Sequence, residues 1–235
     1  KLRDCKLHYN DKLSAAKKEL AEQTSIFITE GGSASGTITK ARNAETQAVF
    51  SLRGKPINCY KESRKKVAEN EELNLLINAL GLEDDIENLR YKKIIVATDA
   101  DDDGMHIRML VLTFFMKYYP DLIRRGHVYI LQTPLFRVKN KKEVRYCYNI
   151  EEKDKAVSAL KTGVEITRFK GLGEISSNEF EDFIGEGMRL DKVKLSDEES
   201  IAEIMEFYMG DNTIDRQNFI RQYLRSEAEL EDVNI

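Results

Sequence analysis

The sequence has no tryptophan, only three prolines and only three cysteines in 235 residues. So few prolines leave no stretch that reads as a long linker, and no internal repeat or low-complexity segment is visible. Cys5, Cys59 and Cys147 are odd in number, far apart and without C-x-x-C spacing, which favours reduced thiols over a disulfide framework or zinc. No apolar run approaches the roughly 18 residues of a membrane span, and no signal-peptide pattern opens the chain. The expectation is a cytoplasmic protein. An initiator Met is also missing, and "KLRDCKLH" starts in mid-phrase, so a piece of a longer protein is expected.

What is present is enough to build a core: 41% hydrophobic residues alongside 33% charged ones. The net charge is −4 but unevenly spread. Between Thr37 and Asn70 eight basic residues face three acidic ones, a balance of +5; between Leu195 and Ile235 three arginines face eleven acids, a balance of −8. Such blocks read equally as solvated helix faces or, for the basic one, as a phosphate-contacting strip.

Apolar, β-branched runs predict strands at Ser25 to Thr29, Gln47 to Leu52, Lys93 to Thr98 and His127 to Thr133. Helical spacing predicts helices at Ser33 to Ala41, Glu71 to Leu80 and Asp103 to Tyr118. Strands alternating with helices imply a parallel α/β sheet, whose ligands sit at the carboxyl ends of the strands. After "TPLFRV" the pattern changes: "PLFRVKNKKEVRYCYNI" predicts a hairpin turning near Asn140 to Lys142, followed by a helix around Glu151 to Leu160, and "EITRFKGLGEISSNEF" a short strand, a glycine-containing loop and a serine-capped helix. The last forty residues read as acidic and helical.

Two segments stand at expected strand ends. "TDADDDG", from Thr98 to Gly104, crowds Asp99, Asp101, Asp102 and Asp103 together. The spacing fits the first half of an EF-hand loop, but Leu110 stands where the bidentate Glu would be and a strand precedes the loop where a helix should. An aspartyl nucleophile pair of phosphatase type stays open. A helix cap accounts for Asp102 or Asp103, though not for four acids. Crowded carboxylates repel and need a cation, and hard oxygen ligands of this kind suit magnesium. Asp99 and Asp101, two residues apart on an extended end, can hold one or two ions. "TEGGSASGT", from Thr29 to Thr37, predicts a tight turn into a helix whose amides could meet a phosphate. It matches neither a P-loop nor G-x-S-x-G.

A Glu at one strand end followed by Gly and Ser-Ala, with D-x-D-x-D-G at a later one, resembles the Toprim domain of type II DNA topoisomerases. The resemblance runs along nearly the whole chain. "EGGSASG", "LRGKPIN", "NLLINALG", "KKIIVATDADDDGMHIRMLVLTFF", "RGHVYILQTPLF", "FKGLGE" and "MGDNTIDRQNFI" resemble successive blocks of the bacterial B subunits.

That resemblance implies an α/β Toprim fold, a Rossmann-like parallel sheet flanked by helices, with an α+β C-terminal tail. It divides the chain into a lead-in segment at 1–20, a Toprim domain at 21–134 and a tail at 135–235. It implies an ATP-dependent enzyme that passes one DNA duplex through a double-strand break in another, as an A2B2 heterotetramer. The attacking tyrosine comes from the A subunit, while ATP binds only in an N-terminal domain that nothing here matches.

Carried over, Glu30, Asp99 and Asp101 are the implied catalytic residues and Mg2+ ligands, with Asp103 supporting them and Mn2+ or Ca2+ as substitutes. Arg53, Lys55 and Lys170 are implied contacts to double-stranded DNA, and His106 lies along the same wall. Arg108 reads equally as structural. Gly32, Ser33 and Arg53 are implied to edge a fluoroquinolone pocket. Gly32 replaces the usual Asp of "EGDS", and Asp102 adds an acid where an apolar residue is usual. A Toprim nuclease or primase shares the acids but lacks "RGHVYILQTPLF" and "FKGLGE". A DNA-binding and docking module whose acids only organise the fold is the non-enzymatic alternative.

Overall fold

The computed structural model describes residues 1–10, 14–83, 85–195 and 198–223. Among these, a six-stranded sheet is built from β1 (Leu2–Arg3), β2 (Ser25–Glu30), β3 (Gln47–Leu52), β4 (Lys93–Ala97), β5 (Val128–Gln132) and β9 (Arg189–Lys192), in the order β1-β3-β2-β4-β5-β9. The four central strands run parallel, and β1 and β9 add antiparallel edges. The sheet is therefore mostly parallel, as the alternating pattern predicts. β9 was not foreseen.

Alternation along the strands feeds two apolar layers. Phe27, Val49, Ile95, Ala97 and Leu131 face one side and meet α2 (Gly31–Ala41), α8 (Ser177–Ile184) and the segment from Phe169 to Ile175. α4 (Glu71–Leu80) packs on β3 and α5 (Asp102–Tyr118) on β4. The chain steps outward from β2 to β3 and, in the other direction, from β4 to β5. Right-handed crossovers then put α2 and α5 on opposite faces. The gap between β2 and β4 is the switch point where such sheets bind ligands.

Capping sets the helix starts. Asn70 accepts the Leu73 amide at 3.2 Å to open α4, and Ser176 and Glu179 form a reciprocal capping box on α8. α1 (Ala15–Ala21), α3 (Arg64–Glu69) and α6 (Pro120–Arg124) are short connecting helices.

A second sheet, β7-β6-β8, is antiparallel throughout: the hairpin β6 (Phe136–Lys139) and β7 (Val144–Cys147), then β8 (Glu165–Arg168). α7 (Ile150–Leu160) covers it through Ala156 and Leu160. Asn140 closes the hairpin by accepting the Lys142 and Glu143 amides, both at 2.9 Å. Glu179 joins this sheet to α8, bonding Arg137 at 2.8 Å and the Tyr146 hydroxyl at 2.5 Å. Burial would raise its pKa, but these bonds and those from Ser176 bring it down to about 2.

Residues 1–194 form one compact unit and 195–235 another. In the second, α9 (Glu198–Met209) and α10 (Thr213–Tyr223) are held by Arg216, which donates to the carbonyls of Phe207 at 2.8 Å and Gly210 at 2.9 Å. The rest of the expected acidic helical stretch, residues 224–235, lies outside the described residues. All three cysteines are free and buried, and burial pushes the thiols of Cys5 and Cys59 up to about 11. No helix among the described residues is long and apolar enough to cross a membrane.

Candidate active site

β2 ends at Glu30 and the chain turns directly into α2 through Gly31, whose φ of +66° a larger residue would adopt only under strain. Ser51 of β3 donates to the Gly31 carbonyl at 2.8 Å and fixes that turn. Glu30 Oε2 is buried without a hydrogen-bond partner. Burial first, then the charges of Asp99, Asp101 and Asp103, push the Glu30 pKa up, and Lys55 only partly offsets them.

Asp99 follows β4 across the switch point. Its Oδ1 accepts the Leu172 amide at 2.8 Å. Burial raises the Asp99 pKa, the Leu172 bond opposes this, and Asp101 and Glu174 add to the rise. Asp101 caps α5, its Oδ1 accepting the Gly104 amide at 2.8 Å. The cap is thus one of the candidate ligands, where Asp102 or Asp103 was expected. The reason is geometric: the helix starts at Asp102, one residue early, so the last extended residue is Asp101. Gly104 is needed for close approach, since a Cβ there would lie 2.2 Å from the Asp99 carbonyl oxygen.

Asp103 is exposed and pairs with Lys55 at 2.6 Å, which holds its carboxyl below the usual range. Lys55 therefore serves first as counter-ion to the acids. Arg53, Lys170 and His106 are exposed, and His106 lies close enough to Asp103 to help hold its carboxyl down. Arg108 is turned inward, its Nε 3.3 Å from Thr98 Oγ1, and burial lowers its pKa. Gly32 and Arg53 line one cavity of about 410 Å3 with Arg3, Lys40 and Ser51. Ser33 instead faces Gly173, where a Cβ would lie 2.2 Å from its Oγ.

The residues missed from sequence are Leu172, through its backbone amide, and Glu174, which accepts the Lys170 amide at 3.0 Å and adds charge near Asp99. The signal that could have found them is the pair of glycines in "KGLGE", which permits a close approach without naming its target.

Among the described residues, no three of the four carboxylates bring oxygens within 4.8 Å of one another. Asp4, Cys5 and His8 do meet that distance, but Arg90 already donates to Asp4 at 2.6 Å and lies 2.9 Å from His8, so a cation is in place there. Glu30 and Asp99 are half-buried, while Asp101 and Asp103 are exposed. That arrangement suits magnesium, which keeps several waters and takes one or two carboxylates, and the orphaned Glu30 oxygen is a donor such an ion would satisfy.

The Toprim domain family matches residues 25–133, and the family described as DNA gyrase B subunit, carboxyl terminus, matches residues 161–221. The B subunit of DNA topoisomerase 4 from Borreliella burgdorferi is 54% identical over 95% of this chain and 37% of its own length. The chain therefore carries a Toprim region followed by a region similar to the carboxyl terminus of the gyrase B subunit. The DNA gyrase B subunit of Thermus thermophilus is 40% identical over 94% of the chain and 36% of its own length, so the higher identity falls on the topoisomerase IV branch. The chain spans little more than a third of these relatives. The fold recurs in a crystal structure of the Plasmodium falciparum topoisomerase II DNA-binding, cleavage and re-ligation domain. There the TM-score is 0.77 at 22% identity, covering 96% of this chain and 31% of that one.

Proposed function

We propose that this chain is the Toprim-bearing part of a topoisomerase IV B subunit, supplying the carboxylates for Mg2+-dependent cleavage and religation of double-stranded DNA by a tyrosine of the A subunit. The gyrase B subunit is the near alternative. The observation that carries the proposal is Glu30: a buried, unpartnered carboxylate oxygen at the switch point, facing Asp99 and Asp101 across parallel strands.

Glu30, Asp99 and Asp101 would hold the ion, with Asp103 kept nearby by Lys55. A bound Mg2+ would supply positive charge at the phosphate. Glu30, its pKa raised by burial and by like charge, is suited to give a proton to the ribose oxygen as it leaves and to take it back on religation. Arg53 and Lys170 place exposed cations for the DNA backbone, giving affinity without sequence information. Residues 21–134 carry the acids, and the tail from 135 brings the "KGLGE" loop to them. Gly32 and Arg53 share a cavity fit to edge a fluoroquinolone site. In the whole protein, ATP hydrolysis and A2B2 assembly would drive strand passage in the bacterial cytoplasm.

A second role is favoured by one observation. Asp101 caps α5 and Asp99 binds a backbone amide, so these carboxylates also organise the fold, as in a DNA-binding module without catalysis. Plasmid cleavage by the assembled A2B2 complex separates the two. Asp101→Asn is expected to lower Mg2+-dependent cleavage by about a hundredfold or more while DNA binding at fixed salt is kept. Equal cutting by native and variant would leave only the module.

A further inference from the structure

The loop Lys170 to Glu174 lies beyond the sheet in sequence yet reaches both strand ends of the site. Leu172 N donates to Asp99 Oδ1 at 2.8 Å, and Ala100 N donates to the Lys170 carbonyl at 2.9 Å. Glu174 ties the loop back on itself by accepting the Lys170 amide at 3.0 Å. Two glycines make the approach possible. A Cβ on Gly171 would lie 3.2 Å from Asp99 Oδ2, and one on Gly173 would lie 2.2 Å from Ser33 Oγ, three residues after Glu30. The loop is anchored by Phe169, Leu172 and Ile175, all buried against α2 and the sheet. It therefore touches the β4 end at Asp99 and the first turn after the β2 end at Ser33.

We infer that the "KGLGE" loop is a positioning clamp for the metal site, in which the Leu172 amide engages one oxygen of Asp99 and leaves the other for the ion. The inference rests on Asp99 being a metal ligand as proposed above. Leu172 is a positioning residue and touches no substrate. Its amide does for a carboxylate ligand what a partner beyond the ligands commonly does: it fixes the orientation before the ion arrives, so that ordering the side chain does not weaken binding. Asp99 Oδ2 receives no hydrogen bond among the described residues and is the oxygen left open. The clamp also fixes the spacing between the two strand ends, because one rigid loop is wedged against both.

Leu172 opens a short 3-10 helix, and Gly171 before it is extended, with φ of −117° and ψ of 149°. A proline fits that position and removes the N–H alone from the backbone. Leu172→Ala removes the same side-chain packing but keeps the N–H. Mn2+ binding to the chain, measured by calorimetric titration of the metal alone, should weaken about tenfold in Leu172→Pro. It should stay within about twofold of native in Leu172→Ala, and Asp99→Asn should weaken it at least about tenfold. Equal affinities of the Pro and Ala variants overturn the clamp while the Asp99 loss upholds the metal site. An unchanged Asp99→Asn overturns the metal site itself. If Leu172→Pro loses its native circular dichroism, Gly171→Ala replaces it: the added Cβ must push on Asp99, the same weakening is expected, and native affinity overturns the clamp.

Discussion

Glu30 carries an unfavourable charge at the site, and its sign can be read in stability. Its folded pKa lies above the ordinary 4.5, pushed there by burial and then by Asp99, Asp101 and Asp103. A carboxyl of this kind favours the folded state fully below its unfolded pKa, and that contribution is lost as pH rises through the raised value. Metal-free Glu30→Gln should therefore melt with the native chain below about pH 4.5 and above it at neutral pH. Adding Mg2+ should raise the native melting temperature more than the variant's, closing the gap. A thermal melt series over pH, with and without Mg2+, checks both halves; a neutral-pH gap that Mg2+ leaves untouched would show that repulsion, and no ion site, sets it. Glu179 has the opposite sign, since its bonds hold it at about 2, so what it contributes is lost only as pH falls.

At the scale of elements, the strand ends work because α5 can begin hard against Asp99. Gly104→Ala would place a Cβ 2.2 Å from that backbone oxygen, and neither backbone can yield cheaply. Destabilisation of about 1–3 kcal/mol is expected, read as a lower denaturant midpoint with unchanged slope. An unaltered midpoint would mean the helix start is soft. The same scale shows what was legible in sequence. β2 to β5 and the helices α2, α4 and α5 were readable because the strands are continuous apolar runs, buried on both faces in β2 to β4, and these helices keep an apolar stripe, patterns local enough to recognise; the short α3 and α6 were not. β9 was not, because Leu190 is its one apolar residue among Arg189, Asp191 and Lys192, and its pairing with β5 is long-range. The acids were legible as a cluster. Their division of labour was not, since Asp101 as cap and Lys55 as partner to Asp103 depend on where the helix starts and on a contact 48 residues apart.

Across the larger unit, the stretch from 135 to 194 is part of the core. Phe27, Val49, Ile95 and Leu131 of the sheet share one apolar cluster with Phe169, Leu172, Phe180 and Phe183. Ending the chain after Thr133 would strip that face and expose it to water. Such a chain should bind an apolar dye strongly and lose cooperative thermal unfolding, whereas the full chain shows a sharp transition. A sharp transition in the shortened chain would mean the sheet closes its own core. The acidic site is then only as well formed as the region that follows it in sequence.

The rims of the two sheets have a bearing on behaviour at high concentration. β1 has two residues, and β7, β8 and β9 have four each, with charges spread along them. None offers a long, flat row of free backbone groups on which a strand of another molecule could add. These ends are too short and too charged to template the addition of a further strand, so the chain is expected to stay dispersed at high concentration.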